Sequence, residues 1–181
     1  AAAKHLSVFQ RTPSSIDVRA NRPSDPAWAA SLEPGWQKKR MDNFNILLSG
    51  GYQKEDLVSD GWTEIIRNLI FGDGAKKYAS LGGAMGVEQL VELADFEKME
   101  QVRARVDAII NDKATADALK PYYRQFCKRP CFHDEYLDTF NRPNVTLVDT
   151  KGEGVERITE HGIVANGVEH KIDCLIYATG F

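Results

Sequence analysis

Two apolar runs of strand character, Leu6-Ser7-Val8-Phe9 and Asn144-Val145-Thr146-Leu147-Val148-Asp149, flank a long tract of helical periodicity, from about residue 36 to residue 120. This order makes the chain an α/β protein whose helical tract is inserted into a sheet-containing domain. The strand signals are too few to complete that sheet, so it is incomplete in this chain. With 181 residues, 43% hydrophobic and 27% charged, the chain can bury a core and does not have the composition of a disordered one.

The first run reads as a buried strand that ends before Pro13, because proline disfavours helix at Thr12. Ala1-Ala2-Ala3-Lys4-His5-Leu6, before it, reads as the last turns of a helix. Pro13, Pro23, Pro26 and Pro34 make residues 13–35 an irregular connection, with a short helix near Ala27–Leu32. Trp62, Ile65, Ile66, Leu69 and Ile70 share one helix face; Ser59 or Asp60 is placed to cap it, and Gly72 with Gly74 to end it. Val87, Leu90, Val91, Ala94, Met99, Val102, Val106, Ile109 and Ile110 form a stronger stripe, with Glu97, Glu100, Arg103 and Arg105 as its solvated face. A short helix from Ala114 to Lys120 stops at Pro121. Asp134 and Glu135 are placed to begin another, running to Phe140. The tail alternates over 155–158 and 162–165 around a turn at His161-Gly162, and 168–171 pairs beside them. Ile172-Asp173-Cys174-Leu175-Ile176-Tyr177 reads as a final apolar strand.

A net charge of -3 argues against a protein built to bind nucleic acid. No apolar run approaches the roughly 18–20 residues of a membrane span, and the first residues lack the apolar stretch of a secretory signal. Cys127, Cys131 and Cys174 cannot all pair, which points to a reducing compartment, the cytoplasm. Cys127 and Cys131 read as small buried residues rather than zinc ligands, because no second Cys/His pair has matching spacing. His133-Asp134-Glu135 is no better as a ligand set, since neighbours on a helix diverge. No metal site is expected.

The chain has no G-x-G-x-x-G phosphate cradle. Gly72-Asp73-Gly74 and Gly152-Glu153-Gly154 read as turns, and Gly82, Gly83 and Gly86 as a hinge between helices. The end of the first strand is more informative. In a dinucleotide-binding βαβ unit the residue at that place meets the adenosine ribose, and an arginine there accommodates the 2′-phosphate of NADP. Here it is Arg11, followed by the hydroxyl of Thr12, a pairing that suits a dianionic phosphate.

Four stretches together resemble the type I Baeyer–Villiger monooxygenases of the flavin-containing monooxygenase superfamily. They are Val8-Phe9-Gln10-Arg11-Thr12-Pro13; Lys128-Arg129-Pro130 with Asp134-Glu135-Tyr136; Phe140-Asn141-Arg142-Pro143-Asn144-Val145-Thr146-Leu147-Val148-Asp149; and Asp173-Cys174-Leu175-Ile176-Tyr177-Ala178-Thr179-Gly180-Phe181. The resemblance implies a partial Rossmann-like NADP-binding domain with a large helical insertion: residues 1–13 a strand and 2′-phosphate loop, 14–121 the insertion, and 122–181 the return to the NADP domain. Members are roughly three times as long and hold FAD in a second domain, so a piece of this length is expected to be inactive alone.

By the same resemblance, Arg11, Thr12 and Lys128 hold the NADP 2′-phosphate. Arg129 matches the active-site arginine, and Ala178-Thr179-Gly180 the segment passing the cofactors. The implied cofactors are FAD and NADPH. The implied partners are a small ketone and O2, with the rest of the chain or a second copy covering the open strands. The implied reaction inserts oxygen beside the carbonyl, giving an ester or lactone. The wording from Cys127 to Tyr136 is closer to members acting on bulky cyclic or terpenoid ketones. An N- or S-oxidising flavin monooxygenase shares the Ala-Thr-Gly ending but is disfavoured by the Lys128-Arg129 pair. A non-catalytic helical binding module derived from such an enzyme is the other alternative.

Overall fold

The computed structural model describes residues 3–70, 76, 77, 80 and 86–178. In chain order its elements are β1 (Leu6–Gln10), β2 (Ile16–Asp17), α1 (Pro26–Ala30), α2 (Trp36–Leu48), α3 (Glu64–Ile70), α4 (Val87–Ile109), α5 (Lys113–Leu119), β3 (Cys131–Phe132), β4 (Val145–Asp149), β5 (Arg157–Ile158), β6 (Gly162–Ala165) and β7 (Val168–Lys171). Single 3-10 turns stand at Gln125–Cys127 and Leu137–Asn141. Helices and strands are mixed, and the strands form small separate sheets.

β1 and β4 pair in parallel, from Leu6 opposite Val145 to Gln10 opposite Asp149. The Asn144 carbonyl accepts from the Leu6 amide at 2.8 Å, and the Gln10 carbonyl from the Thr150 amide at 2.9 Å. Three expectations fail here. β1 is half-buried, with Leu6 44% exposed, because β4 is its only strand neighbour among the described residues. Residues 172–177 form no strand, and Ile176 and Tyr177 are largely exposed, since no described strand lies beside them. Ala3, Lys4 and His5 are not helical either; the Ala3 carbonyl instead accepts from the Asn144 side chain at 3.4 Å.

A second parallel pair, β2 with β3, closes the neck of the helical tract. Ser15 and Asp17 carbonyls accept from the Cys131 and His133 amides at 3.1 and 2.9 Å. Arg105 of α4 donates to the Ile16 carbonyl at 3.0 Å and the His133 carbonyl at 3.2 Å. Arg103 donates to the Pro121 carbonyl at 2.9 Å. These two arginines thus clamp backbone rather than merely solvating a helix face. Asp134 begins no helix. It accepts from the amides of Arg19, Ala20 and Asn21. The Ala20 amide does most to hold its carboxyl below the usual range, against some desolvation and with help from Asn21, Arg19 and the Arg105 charge.

Lys98 of α4 lies under the neck with its side chain 7% exposed, 2.5 Å from Asp17 and 2.6 Å from Glu64 of α3. Burial alone would lower its pKa. The bonds to Asp17 and Glu64, and their negative charge, outweigh that and hold it above the ordinary lysine value.

Ala94, Met99, Val102, Val106 and the helix-ending Ile110 form the buried stripe of α4, while Val91 stays exposed. Asp112 caps α5 by accepting from the Thr115 amide at 2.8 Å. Val106, Ile110, Ala116, Leu119 and Leu137 make one core, with Ile109, Tyr136, Phe140 and Leu147 against it, so the end of the helical tract docks on β4. α3 begins at Glu64, later than a Ser59 or Asp60 cap requires. Asp60 instead accepts from the Trp62 amide in the preceding turn, and Ser59 from Arg67. Gly72, Gly74, Gly82 and Gly83 lie outside the described residues; Gly86 stands at the N-terminus of α4.

The tail forms the antiparallel sheet β5–β6–β7. Asn166-Gly167, both at positive φ, make the two-residue turn between Ala165 and Val168. Asn166 donates to the Asp149 carbonyl at 3.0 Å, seating this hairpin on the end of β4.

Lys98→Met strands two carboxylates at the neck and is expected to destabilise the full-length protein by about 3–5 kcal/mol, read as a shift in urea midpoint. Because the native Lys98 pKa is raised, its stabilisation is complete below about pH 10.4 and is lost as pH climbs through the raised value. The difference between wild type and Lys98→Met should therefore shrink only in strongly alkaline solution.

Candidate functional site

β1 and β4 end side by side, and in open parallel sheets ligands bind beyond the carboxyl ends of strands. There the turn after β4 wraps the end of β1. Thr150, 1% exposed, donates its hydroxyl to the Gln10 carbonyl at 2.9 Å and accepts from the Gly154 amide at 2.9 Å. Gly152, at φ 96°, donates its amide to the Arg11 carbonyl at 2.9 Å. The Arg11 backbone is thereby fixed. Its exposed guanidinium makes no hydrogen bond or ion pair with the described residues.

Lys128 reaches the same place from 116 positions away and donates to the Thr12 hydroxyl. Its ammonium lies 4.9 Å from the centre of the Tyr123 ring, a cation–π contact. The Tyr123 hydroxyl donates to the Pro13 carbonyl at 2.9 Å and accepts from the Ser15 amide at 3.0 Å. Burial raises the tyrosine's pKa, against the opposing effect of the Ser15 bond. One aromatic side chain thus supports the cation and holds the loop carrying Thr12.

Thr12 and Lys128 are therefore brought into contact, with Arg11 next in the chain. Arg129 is exposed. Lys128 has extended backbone, φ -129° and ψ 164°, and Arg129 makes no side-chain contact with Thr12 that would join it to this cluster. Ala178 is exposed, and Thr179 and Gly180 lie outside the described residues. All three cysteines are free, and Cys127 is exposed rather than buried because it ends the surface turn leading to Lys128. Among the described residues no group of three or more His, Cys, Asp or Glu side chains is placed to hold a metal. No helix among them is long and apolar enough to cross a membrane. An open groove of about 770 Å³ beside α2, lined by Lys38, Asn43 and Tyr52 among others, shares no residue with this cluster.

Tyr123 is the residue that sequence reasoning missed. Tyr122 and Tyr123 are adjacent and alike in the sequence, yet Tyr122 is 77% exposed and stacks on Arg103 at 5.0 Å. Nothing local distinguishes them; the only signal is the density of aromatic and basic residues before Lys128.

No family model matches the chain, but proteins named Baeyer–Villiger monooxygenases are among the curated relatives it resembles. It is 63% identical over 180 residues to neopentalenolactone D synthase of Streptomyces avermitilis, covering 99% of this chain and 30% of that protein. It is 57% identical over 182 residues to the Baeyer–Villiger monooxygenase ATR8 of Stachybotrys chlorohalonatus, covering 99% and 29%. Among solved structures, the polycyclic ketone monooxygenase of Thermothelomyces thermophila superposes with a TM-score of 0.74 at 39% identity, over 94% of this chain and 28% of that one. A cyclohexanone monooxygenase superposes at 0.67 and 28% identity, over 98% and 35%. By sequence and by fold, the chain is similar to a stretch of these proteins, and it spans about 30% of the length of the curated relatives it matches.

Tyr123→Phe keeps the ring under Lys128 but leaves the Ser15 amide and Pro13 carbonyl without their partner. It is expected to cost about 1–3 kcal/mol of stability, measured by thermal unfolding of the full-length protein. Tyr123→Leu should lose a further 0.5–1 kcal/mol or about that, from the cation–π contact.

Proposed function

We propose that the protein carrying this chain is an FAD- and NADPH-dependent Baeyer–Villiger monooxygenase. It inserts one oxygen atom of O2 beside a ketone carbonyl to give an ester or lactone. Bulky cyclic ketones suit it best, in keeping with the polycyclic ketone named for one structural relative. In this reading residues 1–13 and 122–181 belong to a partial Rossmann-like NADP-binding domain, and residues 14–121 are its helical insertion. The rest of the chain covers exposed apolar residues such as Ile176 and Tyr177. Three free thiols suit the cytoplasm.

The observation that carries the proposal is the contact of Lys128 with Thr12 at the carboxyl end of β1. The donors there suit the NADPH 2′-phosphate: an ammonium whose partners among the described residues are a neutral hydroxyl and a ring, and the Arg11 guanidinium, which has no partner among them. Charged hydrogen bonds of this type are the strong ones. The bound cofactors supply the electrons and the oxygen-activating flavin, and the chain's own residues bind, orient and stabilise charge. Arg11, Thr12 and Lys128 select the phosphorylated dinucleotide. Arg129, next in the chain to Lys128, offers its cation to the negative charge that develops as oxygen is transferred. Ala178, Thr179 and Gly180 carry the backbone past the cofactors.

In the full-length protein Arg11→Ala should raise the KM for NADPH far more than that for NADH; an equal rise for both would refute the phosphate assignment. Arg129→Ala should lower ester formation by about 100–1000-fold while NADPH still reduces the flavin, with electrons lost to hydrogen peroxide. Arg129→Lys, which keeps the charge but not the planar fork, should fall between. Stopped-flow absorbance follows flavin reduction and product analysis follows the ester. Retention of most ester formation by Arg129→Ala would make Arg129 an ordinary surface residue.

A further inference from the structure

Asp95 of α4 is 6% exposed and Gln125 is 1% exposed. One carboxylate oxygen of Asp95 accepts from the Gln125 backbone amide at 2.9 Å. The other, Oδ2, is buried without a hydrogen-bond partner among the described residues, as are Ser15 Oγ and Gln125 Oε1. A half-satisfied buried carboxylate costs stability, and an apolar side chain of similar size would cost less. Stability therefore does not account for an aspartate here, and its one bond points to a different role.

Gln125 is the first residue of the 3-10 turn Gln125–Cys127, closed by the Cys127 amide on the Arg124 carbonyl at 2.9 Å. Lys128 follows at once. One helical turn before Asp95 on α4, Glu92 pairs with Arg124, the residue before the turn. Two carboxylates on one face of a helix thus hold two consecutive residues of the segment that delivers Lys128 to Thr12. The Glu92 pair is exposed on both sides and contributes little. The Asp95 bond is buried, directional and made to backbone, so it sets the turn's position.

We infer that Asp95 is a positioning residue for cofactor discrimination: by holding the Gln125 amide it fixes the turn that presents Lys128 to the 2′-phosphate of NADPH. The inference rests on the cofactor reading above. It predicts a loss confined to the phosphorylated dinucleotide, because NADH has no group at that position to miss Lys128.

The test measures kcat and KM with NADPH and NADH in the full-length protein and in its Asp95→Ala, Asp95→Asn and Lys128→Ala variants. Asp95→Ala should lower the NADPH-over-NADH ratio of kcat/KM about tenfold, through the NADPH KM, leaving NADH kinetics within about twofold. Asp95→Asn, whose amide oxygen can accept the same bond, should recover most of the ratio. Adding Asp95→Ala to Lys128→Ala should cost nothing further, since both act through one contact. If Lys128→Ala loses the preference and Asp95→Ala keeps it, the inference is overturned and the cofactor reading stands. If Lys128→Ala keeps the preference, the cofactor reading itself falls. Should Asp95→Ala not fold, Asp95→Leu, which fills the buried volume, takes its place with the same expectation. Failure of both to fold would make Asp95 a structural residue and overturn the inference.

Discussion

The ammonium of Lys98 joins three elements that no stretch of local sequence connects. It sits between Asp17 of β2 and Glu64 of α3 while belonging to α4. A charge this deeply buried is tolerable only with both partners in place. The arrangement therefore brings the incoming strand of the neck against the longest helix. Arg105, seven residues further along α4, then reaches the carbonyls of Ile16 and His133 on the two neck strands. With the neck shut, Tyr123 can bond across to Pro13 and Ser15, and Lys128 lies within reach of Thr12.

Charge is distributed unevenly over this framework. Lys98, Arg103, Lys120 and Arg124 each have a carboxylate partner. Two aspartates, Asp107 and Asp117, raise the Lys120 pKa well above its ordinary value. Arg11, Lys128 and Arg129 have no carboxylate partner among the described residues. A cation already neutralised by a neighbouring acid has little attraction left for a phosphate, whereas one propped by a hydroxyl and an aromatic ring keeps all of it. At the carboxyl end of β1 the framework leaves Arg11 and Lys128 without a neutralising carboxylate among the described residues.

How much of this was legible in the sequence depends on the range of each interaction. The α4 stripe from Ala94 to Ile110 and the β4 run followed from periodicity, because both depend on which face meets the core. Asn166-Gly167 carries its own hairpin signal. The roles of Arg103, Arg105 and Asp134 were hidden, since periodicity places a side chain off the apolar stripe but does not show a backbone carbonyl or amide arriving from another segment. β1 was read as buried and residues 172–177 as a strand, because apolar composition does not reveal whether a neighbouring strand is present. The pairing of Thr12 with Lys128, 116 positions apart, came from family resemblance, and no local pattern contains it.

The register of β1 on β4 joins residues 139 positions apart. On a ribosome adding 5–20 residues per second, β1 emerges about 7–28 s before its described partner exists. During that interval Leu6, Val8 and Phe9 are a short apolar run without β4 beside it, and an unpaired strand edge is the kind of segment that pairs with the wrong chain. Lys4 and His5 precede it and Arg11 follows it, as charged or polar flanks that discourage such pairing. The position of Arg11 beside an apolar run thus has a consequence for synthesis that is independent of any ligand.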